Sequence, residues 1–398
     1  MKGKDLFYSR NTIIELSILL ILYYLLNKIF FLFLIFIIIY FIYKSNKTSN
    51  IPLPKEIENL KMKALIENTN SLSNTTKEMF IFEDKLNIPH LRSESDILVK
   101  VYSFSINPAD YFFLISRFPI IRWFYFSHFG VGMDISGKII QVGKKVKKFK
   151  VGDEIFGFAR GGGLQEYALT NEIIIAKKPD FTSFNEICCI PSCFSTAYKS
   201  LTYNFGTDVK NKNVLIVGAS GGVGVLAVQI SKYLNFEKVY GVCSSKNKEL
   251  VKSLGADEVL CYDKENYLNE CKEQFDLIFD NTYSPETLIK YEKYKKLLKP
   301  DIGEYVVVNG SFKQKLFGVL QLLIGKKIKI EPAHFHLNFG SQDPSYLEIA
   351  VKMLEEKKLK TIYEKHDFDK KDIFSSYEIS QSKRARGKLV IEINKDSK

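Results

Sequence analysis

The chain holds 398 residues, 46% hydrophobic, 14% aromatic and 26% charged, too apolar for a disordered protein and long enough for two domains with an added segment. Its six cysteines, at 188, 189, 193, 243, 261 and 271, form no C-x-x-C pair and no Cys/His set with zinc spacing; that excludes a disulfide scaffold and a zinc ribbon and reads as free thiols. The net charge of +12 comes from lysines scattered among acids, a solvated surface and not a nucleic-acid face.

Residues 16–43 are apolar except for Ser17, Asn27 and Lys28. As one helix the run is about 42 Å long, more than a hydrocarbon core of about 30 Å needs, so a tilted span or a span over 22–43 fits. It lacks the short apolar region and small-residue cleavage site of a signal peptide, and a buried core helix would need partners on all its faces. A retained single-pass anchor is expected, with residues 1–48 as anchor and flanks. Basic residues lie on both sides, Lys2, Lys4 and Arg10 against Lys44, Lys47 and Lys55, so charge sets no orientation. Residues 49–61, with Pro52 and Pro54, read as a polar tether, and a soluble module is expected from Met62.

Residues 97–106 alternate as a strand, 139–142 form another, and glycines punctuate the stretch up to Gly163, which predicts a β-rich domain. After Pro191 apolar strands alternate with amphipathic helices: 213–217 then 223–233, 239–242 then 247–254, and 275–279 then 286–298. That alternation predicts an α/β fold with a doubly wound parallel sheet.

Between the first strand and helix of that series lie Gly218, Gly221, Gly222 and Gly224. Glycines 218, 221 and 224 keep the G-x-x-G-x-x-G spacing that lets a backbone approach a pyrophosphate at a helix N-terminus. About twenty residues on, where an NAD site presents an acid to the ribose, the chain reads Ser244-Ser245-Lys246. Hydroxyls and an ammonium accept a 2′-phosphate that a carboxylate would repel, so NADPH is the expected cofactor; an ordinary polar loop is the plainer reading of the same residues.

The chain resembles the medium-chain dehydrogenase/reductase superfamily over residues 62 to about 393, in particular its zinc-free quinone-reductase branch with the reticulon-interacting mitochondrial quinone reductases. The resemblance rests on Ile106-Asn107-Pro108-Ala109-Asp110, on Gly132-Met133-Asp134 running to Gly137 and Gly143, and on Gly152-Asp153. Leu254-Gly255-Ala256-Asp257, Asp280-Asn281 and Arg384-Ala385-Arg386-Gly387-Lys388 add to it. It implies a GroES-like β-barrel domain interrupted by a Rossmann domain. The expected boundaries are 62–190 and 336–398 for the catalytic domain and 191–335 for the NADPH domain.

Zinc-dependent relatives carry a metal-binding His and Cys where this chain has Met133 and Asn107, so the resemblance implies no metal. Without zinc, hydride transfer to an activated double bond or a quinone needs only stabilised charge and a proton. The resemblance makes Asn107 the candidate for hydrogen bonding on the nicotinamide side and Tyr111 a candidate proton donor, a packing aromatic being the other reading of Tyr111. It carries cofactor contacts to Ser220, Gly222, Val223, Ser244, Lys246, Tyr262, Asn281, Arg384, Ala385 and Arg386; the two arginines equally read as caps of a solvated turn. His128, His334 and His336 stand singly, without metal spacing. The apolar stretch 316–324 lines a substrate entrance or forms a core helix.

Together these readings describe a membrane-anchored, zinc-independent, NADPH-dependent reductase acting on a small lipophilic quinone, alkenal or other enone or enoyl acceptor. The alternative is a non-catalytic nucleotide-binding protein at a membrane surface. The partners expected are the lipophilic substrate and a membrane, with no nucleic acid; homodimerisation is compatible with the sequence. NADPH and free thiols place the reductase domain on the cytosolic side, although Asn46, Asn74 and Asn309 begin formal glycosylation sequons.

Overall fold

In a computed structural model, which describes residues 51–68, 76–115, 131–160, 162–203, 205–282, 287–300, 302–308, 334–335 and 344–395, the alternating apolar residues are buried on both faces of a parallel sheet. Strands β8 (Asn213–Val217), β9 (Lys238–Cys243), β10 (Glu258–Cys261), β11 (Leu277–Asp280), β12 (Glu304–Val307) and β13 (His334–Phe335) take the order β10-β9-β8-β11-β12-β13, every pair parallel. Val214 and Ile216 face one apolar cluster and Leu215 and Val217 another, the period-2 consequence of covering both faces with helices. The order reverses between β8 and β11, and an open α/β sheet binds its ligand at such a switch point.

The seven strands that precede these in the chain are β1 (Lys61–Glu67), β2 (Phe80–Asn87), β3 (Asp96–Ser105), β4 (Asp134–Val142), β5 (Glu154–Phe158), β6 (Tyr167–Asn171) and β7 (Ile175–Lys177). With β14 (Tyr363–Asp367) and β15 (Lys388–Glu392), strands β3 to β7 build a second sheet in the order β14-β15-β3-β4-β5-β7, with β6 beside β3. Strand β3 organises it: its first half pairs with β6, its last three residues with β15, and β4 runs along its whole length. A segment at the far end of the chain thereby closes the domain begun by β3. The fold is the α/β arrangement of a barrel-like domain interrupted by a doubly wound sheet.

Helices form within the three expected stretches, 223–233, 247–254 and 286–298, and at further places that the pattern does not mark. We label α1 (Pro108–Ile115), α2 (Pro191–Thr202), α3 (Gly222–Tyr233), α4 (Lys248–Ser253), α5 (Thr287–Tyr294), α6 (Pro344–Glu355) and α7 (Lys370–Gln381). Helix α3 buries all of Gly224 to Ser231, including the amide of Gln229. That amide is satisfied within the helix and across the fold: Nε2 donates to Val225 O at 2.8 Å and to Lys360 O at 2.9 Å, while Oε1 accepts from Lys360 N at 2.7 Å, so the buried polar group is fully hydrogen-bonded.

Two expectations change. The tether expected at 49–61 is folded from Pro52 onward, inside the compact unit Pro52–Lys398. Leu53 and Ile57 are buried, Ile57 N donates to Pro54 O at 3.0 Å, and Gln141 Nε2 donates to Pro52 O at 2.8 Å; two apolar side chains among the polar ones are enough to dock the segment. The membrane localisation is corrected as well. Among the described residues no helix is long and apolar enough to cross a membrane, and the span expected at 16–43 lies outside them, so the anchored, cytosol-facing assignment has no structural support. His128, His336, residues 316–324 and the three sequons also lie outside the described residues.

Candidate active site

The glycine turn sits at the switch point. Gly218 N and Ala219 N both donate to Val242 O at 3.0 Å, which bends the chain from β8 across the end of β9. Gly218 has φ +85°, a conformation that L side chains avoid. The Asn281 side chain closes the other flank, its Nδ2 donating to Val217 O at 2.8 Å. Gly224 lies so close beneath the turn that a Cβ there would be 2.1 Å from Gly218 O. Gly221 is the N-cap of α3, and Gly222, Val223 and Gly224 form its first turn, leaving backbone N–H groups aimed outward for an anion.

The C-terminal motif meets this turn directly. Gly387 N donates to Ser220 O at 2.9 Å, and Gly221 and Gly387 form a parallel bridge. Ala385 packs against the barrel core, while Arg384 and Arg386 are exposed. Of the remaining expected contacts, Ser244 is buried and Tyr262 is 58% exposed, and Lys246 is exposed on the loop after β9. Ser245 is committed elsewhere: its N–H and its hydroxyl both donate to Asp263 Oδ1, at 3.0 and 2.7 Å. These bonds, from the Ser245 side chain and then its backbone, hold the Asp263 carboxyl below its usual range. An acid therefore does stand beside the loop, contributed from beyond β10 and not from the end of β9.

Under the turn lies a buried polar web that the sequence motifs supplied without revealing. Asn107 precedes α1, and its N–H donates to Asp110 Oδ2 at 2.7 Å, the reach-back half of a capping box. Its side-chain amide is fully used: Nδ2 donates to Asp134 Oδ2 at 3.0 Å and Ser105 O at 3.2 Å, and Oδ1 accepts from Lys388 Nζ at 2.7 Å. Lys388 Nζ also donates to Ile106 O at 2.7 Å. Ser192 donates to Asp134 from its backbone at 3.2 Å and from its hydroxyl. A Cβ on Gly222 would lie 2.7 Å from Lys388 Cδ, so the lysine runs directly beneath the phosphate-facing turn. Burial pushes the Asp134 carboxyl up, and Lys388, Ser192 and Asn107 pull it back. Burial alone would lower Lys388; the neighbouring Cys193, Asp134, Cys189 and Asp110 outweigh it and keep the ammonium charged. The Cys193 thiol is pushed up to about 11 by burial, and all six cysteines are free.

Asn107 is thus brought to the cofactor turn, but with no amide hydrogen left for a substrate. Tyr111 packs edge-on against Tyr377, ring centroids 6.1 Å apart, and burial raises its phenol while a bond with Ser380 opposes the shift; its surroundings are those of a packing aromatic. Lys388, Asp134, Asp110, Ser192, Asn247 and Asp263 are the site residues that sequence reasoning missed. Three of them, Asp110, Asp134 and Lys388, sit inside the motifs that carry the family resemblance.

Asp110 carries a pH consequence. Its carboxyl is fully buried, Oδ1 has no hydrogen-bond partner among the described residues, and burial first, then the Asp134 charge, pushes it up to about 8. The unfolded chain releases this proton near pH 4 while the folded one keeps it to about 8, so the stability it confers is full below pH 4 and is lost as pH rises through that window. The slope is at most about 1.4 kcal/mol per pH unit. Thermal unfolding between pH 5 and 8 should show a midpoint that falls with pH and a clearly flatter profile for Asp110→Asn; parallel profiles would refute the assignment.

The residues present do not fit a zinc ion. Met133 packs against the barrel core and Asn107 is saturated, and among the described residues no group of three or more His, Cys, Asp or Glu side chains is placed to hold a metal. The features that suit a nucleotide are, in contrast, together: a glycine turn at a switch point and a helix N-terminus.

Comparison with known proteins agrees with this geometry. Residues 93–180 match the family described as alcohol dehydrogenase GroES-like domain, and residues 222–355 match the family described as zinc-binding dehydrogenase. The chain is 28% identical over 301 residues to 2-methylene-furan-3-one reductase of Solanum lycopersicum, covering 68% of this chain and 72% of that protein. It is 36% identical over 184 residues to the chloroplastic quinone-oxidoreductase QR1 of Triphysaria versicolor, covering 42% of this chain and 53% of that one. The mitochondrial NAD(P)H oxidoreductase RTN4IP1 of Homo sapiens is 30% identical over 250 residues, with coverage of 56% and 63%. Among solved structures, the quinone oxidoreductase from Coxiella burnetii superposes with a TM-score of 0.69 at 24% identity, over 84% of this chain and all of that one. With the two domain families matched in order and the sheet order and glycine turn in place, the chain belongs to the medium-chain dehydrogenase/reductase family and is an oxidoreductase.

Proposed function

We propose that the enzyme is a zinc-independent reductase that passes hydride from NADPH to a quinone or to the activated double bond of an enone, alkenal or enoyl compound. The observation that carries the reading is the glycine turn at the β8/β11 switch point, clamped by Gly387 on one side and Asn281 on the other. Relatives named as quinone and enone reductases supply the acceptor class. The preference for NADPH rests on the loop after β9, which offers hydroxyls and Lys246; its nearest acid, Asp263, is already taken up by Ser245.

When bound, the nicotinamide supplies the hydride. The chain's own part is to hold the phosphates against the N-terminus of α3, to fix the rim through Ser220 and Ser244, and to keep the Asn107–Lys388–Asp134 web rigid beneath. Conjugate addition leaves negative charge on an oxygen remote from the carbon that receives hydride, and the buried Lys388 ammonium contributes a favourable field there without donating to the substrate.

The test is NADPH oxidation followed with a panel of quinones, alkenals and enones. Turnover of at least one class is expected, and Tyr111→Phe should change kcat less than about threefold, because a true proton donor would cost about 100-fold or more. Tight nucleotide binding with no acceptor turned over would establish the non-catalytic alternative.

A further inference from the structure

Asn247 belongs to none of the motifs that mark the cofactor site, yet one of its atoms touches both halves of the rim. It is buried at the N-terminus of α4. Its Nδ2 donates to Ser220 Oγ at 3.1 Å and to Ser244 Oγ at 3.2 Å, and its backbone N–H donates to Ser244 O at 2.9 Å. Ser220 lies in the glycine turn after β8, and Ser244 in the loop after β9. A single amide group therefore ties together the ends of two adjacent strands.

The direction of these bonds matters more than their number. A hydroxyl that accepts a hydrogen bond keeps its own hydrogen to donate. With the two N–H groups of Asn247 feeding them, Ser220 and Ser244, both within 3.2 Å of one nitrogen, each keep a hydroxyl hydrogen to donate. Ser245, the third hydroxyl nearby, differs: its hydrogen goes to Asp263. A carboxylate at position 247 would reverse the pair, drawing both hydroxyl hydrogens inward and leaving only lone pairs outward. Two aligned hydroxyl donors with no carboxylate behind them suit a dianionic phosphate group.

We propose that Asn247 is the positioning residue that turns Ser220 and Ser244 into a receptor for the 2′-phosphate of the adenosine ribose, and so decides NADP over NAD. The proposal rests on the reading of this site as a dinucleotide site for NADPH. It assigns Asn247 no contact with the cofactor; the residue acts through the two serines.

The experiment uses the full chain and two fragments of the cofactor, adenosine 2′,5′-bisphosphate and AMP, titrated calorimetrically, so that no turnover is involved. The unaltered chain should bind the bisphosphate at least about tenfold more tightly than AMP, two hydrogen bonds to a charged group accounting for that ratio. Asn247→Ala should lose most of this ratio through weaker bisphosphate binding, with AMP affinity held within about twofold, which also shows that the site has folded. Asn247→Asp, of the same size, should lower bisphosphate affinity further still, and the double change Ser220→Ala with Ser244→Ala should match Asn247→Ala. An unchanged ratio in the Asn247 variants of a chain that does prefer the bisphosphate would overturn the proposal alone, as would equal weakening of both fragments. No preference in the unaltered chain would overturn the NADPH reading and this proposal with it.

Discussion

Replacing Lys388 by methionine is expected to destabilise the protein by about 3–5 kcal/mol, the cost of leaving a buried charge uncompensated, because Asn107 links the lysine to the fully buried Asp134. Methionine keeps the length of the stem beneath Gly222 but removes the donors to Ile106 O and Asn107 Oδ1. It also leaves the fully buried Asp134 with no cation beside it, so that carboxyl would take up a proton, which makes the loss larger as pH rises. Denaturant unfolding measures the effect directly. The double change Lys388→Met with Asp134→Asn removes both charges and should recover most of the stability, since two opposite buried charges are together worth little against uncharged groups of similar shape. A single variant within about 1 kcal/mol of the unaltered chain, or a double variant no better than the single, would refute this account of the web.

The same web shows why some of the site was legible and some was not. Strand β8, the turn and α3 are contiguous, and their signals are local: alternation, glycine spacing, then an apolar helix. Sequence reading therefore placed Gly218 to Tyr233 within one residue of the structure. Asn107 and Lys388 both lie in family motifs, but 281 positions separate them, and nothing local to either shows that one saturates the other. The resemblance makes Asn107 a candidate for hydrogen bonding on the nicotinamide side, and the structure shows its amide engaged by Asp134, Ser105 and Lys388.

Strand-end loops failed for a related reason. A ribose-binding acid belongs by chain order at the end of β9, where the sequence has only serines and a lysine. Parallel neighbours bring their C-terminal ends to the same edge, so β10 delivers Asp263 to Ser245 across 18 positions of chain. The folded segment at Leu53 and Ile57 was missed because two apolar side chains among polar ones make no periodic signal. Their burial is decided by the surface they meet, and only the fold provides that.

The glycine turn itself yields a prediction that the motif cannot make, because the spacing treats its glycines alike and the structure does not. Gly224→Ala would place a Cβ 2.1 Å from Gly218 O and 2.7 Å from Ala219 Cα. Both are backbone atoms with no rotamer to move, so α3 would have to lift away from β8. Several kcal/mol of stability and at least about 100-fold in nucleotide affinity should be lost together, as overpacking against fixed backbone disrupts both the core and the turn. At Gly221 the nearest atom to a new Cβ is Gly218 O at 3.5 Å, and its φ of −82° suits any residue. Gly221→Ala should therefore keep stability within about 1 kcal/mol while weakening nucleotide binding, since in the proposed site this glycine belongs to the phosphate-binding turn and its Cβ would meet no core atom. Thermal melts alongside NADPH titrations separate the two effects. If Gly224→Ala melted with the unaltered chain, or if Gly221→Ala lost stability as well as affinity, the packing that this turn imposes on α3 would have to be redrawn.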